Sequence, residues 1–187
     1  MTRTFIAIKI DFNQEILNLL DQLKITFKSD SINWTDINRA HLTLFFLGNT
    51  SIDQIDDISN ELQKISSKNQ YFNLKISELC FFHQRGQPKV IWLGIENNEK
   101  LIGIQNDIQI CMRKYGFNNI PKRFTPHLTL GRIKKLKNKE LLQNYVKKYE
   151  RYCFDEVQIK SFVFYESILT PKGAVYKTIK SFNLCRL

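Results

Sequence analysis

Two four-residue phrases hold the groups best suited to chemistry, His41-Leu42-Thr43-Leu44 and His127-Leu128-Thr129-Leu130. They contain two of the three histidines in a chain of 187 residues and stand 86 positions apart. In an extended strand alternate side chains share a face. Each phrase therefore sets an imidazole and a hydroxyl on one side and two leucines on the other. Imidazoles titrate near neutrality, so one can serve as a base while the other, protonated, serves as an acid. That pairing suits in-line displacement at phosphorus, where one oxygen attacks and another leaves on the opposite side. A threonine two residues on can donate to a non-bridging oxygen, which gains charge in the transition state. The scheme needs no metal, and neither phrase supplies a third ligand to a two-histidine metal site. A lone His-x-Thr more often marks a packed or solvent-facing histidine. Two identical phrases in a histidine-poor chain point to a site built symmetrically. His83 has no threonine partner and reads as a surface residue.

The elements that must position these phrases follow from periodicity. Residues 4–10 are rich in β-branched side chains and predict an opening strand. Ile16, Leu17, Leu20, Leu23 and Phe27 recur at helical spacing over about 13–28, with Asp11 or Asn13 as the cap. The first phrase runs on through Phe45, Phe46 and Leu47 to a turn at Gly48 and Asn49. Ser51 or Asp53 caps a second helix reaching about Ser67. Strands are expected over 71–82 and 90–95, separated by a polar, basic loop from His83 to Lys89. A third helix spans about 99–115 and stops at Gly116. The second phrase follows a basic segment containing Pro121, Lys122, Arg123 and Phe124. A short helix over about 139–148, a strand over 154–165, a turn at Thr170, Pro171, Lys172 and Gly173, and a closing strand complete the chain. This mixture predicts an α+β fold, not a doubly wound sheet. Each half carries a helix, a phrase and further strands, so the chain reads as a diverged duplication in one bilobal domain over 1–187.

The totals set limits. A hydrophobic fraction of 43% with only seven glycines and four prolines excludes a disordered chain. The formal net charge of +10 favours polyanionic partners. Cys80, Cys111, Cys153 and Cys185 are widely spaced and form neither a zinc motif nor a disulfide framework. No run is long and apolar enough to span a membrane. A soluble, cytoplasmic protein without a cofactor is expected.

The duplicated His-x-Thr phrases resemble those of the two-histidine phosphoesterase superfamily. Arg3 with Phe5-Ile6-Ala7-Ile8, Trp34 ahead of HLTLFFLG, PKVIWLGI, RFTPHLTLGR and FYESILTPKGAVY narrow the resemblance to the RNA 2′,3′-cyclic phosphodiesterases, formerly called 2′-5′ RNA ligases. It implies a bilobal α+β fold with two pseudo-symmetric antiparallel sheets facing a central cleft and helices outside. It also implies metal-free hydrolysis of an RNA 2′,3′-cyclic phosphate end to a 2′-phosphate by a monomer with no obligate protein partner. His41 would then be the proton donor to the departing 3′-oxygen and His127 the proton acceptor, with Thr43 and Thr129 binding the phosphate. Related readings are a 2′-5′ phosphodiesterase, RNA end-joining, or a non-catalytic RNA-binding module. The sequence departs from the family in the stretch from Pro121 to Phe124, and in the loop from Phe81 to Pro88, where His83 and Gln84 replace a commoner Pro-Arg.

Three further residues are candidates for substrate binding. Strict alternation places Arg132 opposite His127, so it reaches phosphate only if the strand twists or ends at Gly131. Arg123 stands just before the second phrase and is a similar candidate. Phe45 falls on the face of Thr43, where it can stack on a nucleobase or pack into the core. The run Lys134, Lys135, Lys137 and Lys139 reads as a solvated face or a track for an RNA backbone.

Overall fold

Among the described residues, four segments with apolar residues at three- and four-residue spacing form α-helices, and each starts at a side chain that caps it. The structure, a computed structural model, describes residues 1–118, 123–171 and 173–186. Pro121, Lys122 and Lys172 lie outside the described residues. Helix α1 (Gln14–Thr26) begins where the Asn13 side-chain oxygen accepts the Ile16 N–H at 2.9 Å. Helix α2 (Ile52–Lys68) has a capping box, in which Ser51 and Gln54 each accept the other's backbone N–H. Asn98 caps α3 (Glu99–Lys114) and Asn138 caps α4 (Lys139–Lys148).

The strands are β1 (Thr2–Lys9), β2 (Ser31–Trp34), β3 (His41–Thr50), β4 (Phe72–Gln84), β5 (Gln87–Ile95), β6 (His127–Lys135), β7 (Cys153–Ile159), β8 (Ser161–Thr170) and β9 (Gly173–Asn183). The expected loop from His83 to Lys89 is a tight hairpin between β4 and β5. Arg85 and Gly86 form its turn, both with positive φ, at 51° and 72°. Such a turn matches the twist of the flanking strands.

The strands pair antiparallel in the order β7-β4-β5-β6-β3-β1-β8-β9, with β2 added to β6. The two strands that carry the phrases sit at the centre and meet through Leu42 opposite Leu128. Around that pair the sheet divides into two arms. The first contains β3, β1, β8 and β9; the second contains β6, β5, β4, β7 and β2. The division does not fall at one point in the chain, because the first arm takes strands from both of its ends.

Helices cover one face of each arm and leave the other open. Helices α2 and α3 pack on β8, β9 and β3 of the first arm, and α4 packs on β4 of the second. Helix α1 joins α4 through Thr26 Oγ1 and the Tyr145 hydroxyl at 2.8 Å. It is tied to β7 by Asn13 Nδ2 donating to the Phe154 carbonyl at 2.9 Å. All four leucines of the phrases are buried beneath the helices. Each such side chain contributes roughly 1.5–3 kcal/mol on leaving water. The leucines therefore fix which way the histidines face.

Candidate active site

Pairing register, not simple alternation, decides which residues accompany the histidines on the open face. Ala7 pairs with Thr43 and Ile6 with Phe45, so Leu44 is an extra residue in β3. Trp92 pairs with Thr129 and Ile91 with Gly131, so Leu130 is the extra residue in β6. Each phrase thus contains a β-bulge at its second leucine, and a bulge re-aims the side chains beyond it. Phe45 and Gly131 turn into the core, while Phe46 and Arg132 turn to the open face.

This corrects the faces expected of two residues, and of the two roles open to Phe45 core packing is the one it takes. Phe45 is only 4% exposed and packs in the core; the ring that β3 presents on the open face is Phe46, 63% exposed. Arg132 lies on the face of His127 and Thr129, because the bulge reverses the alternation that would have set it behind them. Gly131 is required where it stands. A Cβ there would come within 2.9 Å of the Trp34 ring and 3.0 Å of Ile32, both from β2.

Both imidazoles are oriented alike. His41 Nδ1 lies 2.7 Å from the Arg39 carbonyl, and His127 Nδ1 lies 2.8 Å from the Thr125 carbonyl. A carbonyl oxygen only accepts, so Nδ1 carries hydrogen in each ring. The nitrogen that exchanges a proton is therefore Nε2 in both cases. Arg39 is itself fixed: its Nε pairs with Asp36 at 3.1 Å, and its Nη1 donates to the Ala174 carbonyl at 2.6 Å. The carbonyl that orients His41 is thereby linked to the β8–β9 hairpin.

Burial lowers the pKa of both histidines below the ordinary 6.5, and the bond from Nδ1 to carbonyl partly offsets it. Positive charge lowers them further: His127 and Arg132 act on His41, and Arg132 acts on His127. The two phrases and Arg132 therefore share one electrostatic site. Thr43 and Thr129 stand half-buried two residues along the same faces. Arg123 is exposed, and it is not among the charges acting on either imidazole. Among the described residues, no three His, Cys, Asp or Glu side chains group as a set of metal ligands. His83 lies at the β4–β5 hairpin with its ring edge against Phe81, 4.8 Å away, and is no part of this cluster.

The sequence reading missed an aromatic wall around each imidazole. Phe5 and Tyr176 stand 5.2 and 5.1 Å from His41, and Phe5 continues to Phe46 at 5.9 Å. Phe82 and Trp92 stand 4.9 and 5.7 Å from His127 and stack on each other at 4.6 Å. These rings pack against one side of each imidazole and contribute to the burial that lowers both pKa values. They come from β1, β9, β4 and β5, so only strand pairing reveals them.

The chain matches the family described as LigT like Phosphoesterase twice, over residues 7–92 and 93–176, one copy of the phrase in each. It is 30% identical over 185 residues to an RNA 2′,3′-cyclic phosphodiesterase of Thermotoga maritima, covering 95% of this chain and 92% of that protein. Its fold is similar to the crystal structure of TT0787 of Thermus thermophilus, with a TM-score of 0.80 and 20% identity over 97% of both chains. It is also similar to E. coli LigT complexed with 3′-AMP, at a TM-score of 0.75 and 21% identity over 98% of both. With two copies of one phrase, two imidazoles oriented alike and a match across both halves, the chain belongs to the LigT-like family of two-histidine phosphoesterases.

Proposed function

We propose that the protein hydrolyses the 2′,3′-cyclic phosphate end of RNA to a 2′-phosphomonoester, with its two histidines as acid and base and without a metal ion. The observation that carries this reading is the shared commitment of both Nδ1 atoms to backbone carbonyls. It leaves a single proton-exchanging nitrogen on each side of one site. In the forward step water attacks phosphorus opposite the 3′-oxygen, and His127 Nε2 takes a proton from that water. The new P–O bond forms as the P–O3′ bond breaks, and His41 Nε2 gives its proton to the departing 3′-oxygen. Thr43 and Thr129 donate to the non-bridging oxygens, and Arg132 balances their charge. Phe46 is the exposed ring on which the nucleobase can stack. The protein works in the cytoplasm as one bilobal domain and a monomer. The net charge of +10 suits the polyanionic substrate.

One observation allows a second assignment of roles. The charge of His127 lowers the pKa of His41; such repulsion is mutual, so the pair holds one proton before two, and two Nε2 atoms oriented alike can each carry it. Under that assignment His127 is the acid and His41 the base. The overall reaction is unchanged.

The test is incubation with an oligonucleotide ending in a 2′,3′-cyclic phosphate, with and without EDTA. Equal rates and a 2′-phosphate product are expected. A 3′-phosphate product, loss of activity in chelator, or no turnover would overturn the reading.

A further inference from the structure

Beyond the reacting groups, β6 keeps re-aiming its side chains. On its β2 side, Asn33 pairs with Arg132, Ile32 with Ile133 and Ser31 with Lys135, which leaves Lys134 as a second extra residue. Paired residues share a face of the sheet, so Lys135 stands with Ser31 on the face of Asn33 and Arg132. Ile133 is buried on the opposite side, while Arg132, Lys135, Asn33 and Ser31 are all exposed. Two bulges have thus replaced the two-residue period of a strand with a run of His127, Thr129, Arg132 and Lys135 along one open face.

The spacing of this strip is set by its partner strand. From Asn33 to Ser31 is two residues, roughly 6.7 Å of strand. Such a step carries a second cation to about the next phosphate of an extended nucleic-acid chain. Asn33 and Ser31 add short polar side chains able to donate to phosphate oxygens. Asp30 closes the strip, and its carboxylate is occupied by the Lys137 backbone N–H at 2.6 Å. Of the run of lysines, Lys135 is the one that its pairing with Ser31 aligns with the site.

We infer that the open face of β6 beyond Arg132 is a backbone track, on which Lys135 holds the phosphate next to the cyclic end of a single-stranded RNA chain. The inference rests on the phosphodiesterase reading above and extends it from the terminal nucleotide to the chain behind it. The enzyme then prefers an oligonucleotide to a mononucleotide, through charge and not through base sequence.

The experiment compares adenosine 2′,3′-cyclic monophosphate, which has no second phosphate, with a ten-nucleotide oligoadenylate ending in a 2′,3′-cyclic phosphate. kcat/KM is measured for both across a series of KCl concentrations. In the unmodified protein the oligonucleotide should show the steeper decline with salt. Lys135→Ala should lower kcat/KM for the oligonucleotide about fivefold at low salt and flatten its logarithmic salt slope by about 0.7, the change for one phosphate contact on a single strand. Lys135→Glu should act in the same direction more strongly, and both variants should hydrolyse the mononucleotide as before. Lys68→Ala, with the same loss of charge on α2, should change neither substrate. Equal salt slopes for the two substrates in the unmodified protein would overturn the track. So would an equal effect of Lys135→Ala on both, or the same effect from Lys68→Ala. Turnover of neither substrate would instead overturn the phosphodiesterase reading.

Discussion

The two arms of the sheet share a spacing and differ in what stands at its end. Counting from each histidine, a threonine follows at two residues, a core position at four and an open-face position at five. In the first arm the last two are Phe45 and Phe46; in the second they are Gly131 and Arg132. Phe45 fills its part of the core with its own ring. Gly131 leaves its part empty, and Trp34 from β2 fills it, within 2.9 Å of where a Cβ would be. At the open-face position one arm offers an aromatic ring and the other a cation. A nucleotide has one part that stacks and one part that is charged, so a symmetric scaffold has become an asymmetric site by exchanging two side chains.

The comparison is broken most severely by removing the histidines. His41→Ala and His127→Ala should each lower the rate by about 10²-fold or more, with folding intact by circular dichroism. A substrate with sulfur in place of the bridging 3′-oxygen separates the arms, since a thiolate leaves without protonation. The variant lacking the acid should recover on that substrate, and the one lacking the base should not. Recovery in His41→Ala supports His41 as the acid; recovery in His127→Ala supports the exchanged roles.

Arg132 comes next. Its loss as Arg132→Ala should cost about 10²-fold in kcat/KM, the scale for one charge-stabilising donor. The pH profile gives a signature that a structural role would not. Both pKa values are lowered from the ordinary 6.5, so both limbs of the bell shift toward acid in the free enzyme. Arg132 lowers both values, so removing it should move both limbs to higher pH. Limbs that stay in place would separate Arg132 from the site.

Phe46→Ala should lower kcat/KM by about tenfold on a nucleoside cyclic phosphate, one lost stacking contact, and leave stability nearly unchanged. Phe45→Ala should do the reverse, costing about 3–5 kcal/mol in urea denaturation through the cavity it opens. If Phe45→Ala impaired turnover without loss of stability, the bulge would be in the wrong place. The smallest effect is expected at Gly131→Ala. Its methyl group must displace Trp34 and Ile32, for about 1–3 kcal/mol, read as a lower urea midpoint.

The catalytic phrases were legible in the sequence because they repeat, and their leucines because strand alternation is local. The helices were legible for a similar reason, since Ile16, Leu20 and Leu23 recur within single turns. Phe45 and Arg132 were misplaced because a bulge belongs to a pair of strands. Nothing near Leu44 or Leu130 tells how β1 or β5 will count past it. The walls of Phe5, Tyr176, Phe82 and Trp92 were hidden for the same reason, each depending on a partner far away in the chain. The bond between Arg39 and the Ala174 carbonyl spans 135 residues and has no local signature.

The first arm's use of both ends of the chain also bears on the order of folding. Its β1–β8 ladder pairs Thr4 with Glu166, whereas the β4–β5 hairpin turns on Arg85 and Gly86. Closing a loop of that length must precede any gain from the contacts it makes, so distant pairings form late. The second arm can assemble its hairpin early, while the wall of His41 waits for Tyr176. Both tryptophans, Trp34 and Trp92, lie in the second arm. On refolding, the Trp92 signal thus follows the early β4–β5 hairpin and catalysis follows the late β1–β8 ladder, so in a Trp34→Phe protein a lag between the two signals times the arrival of β8 and β9.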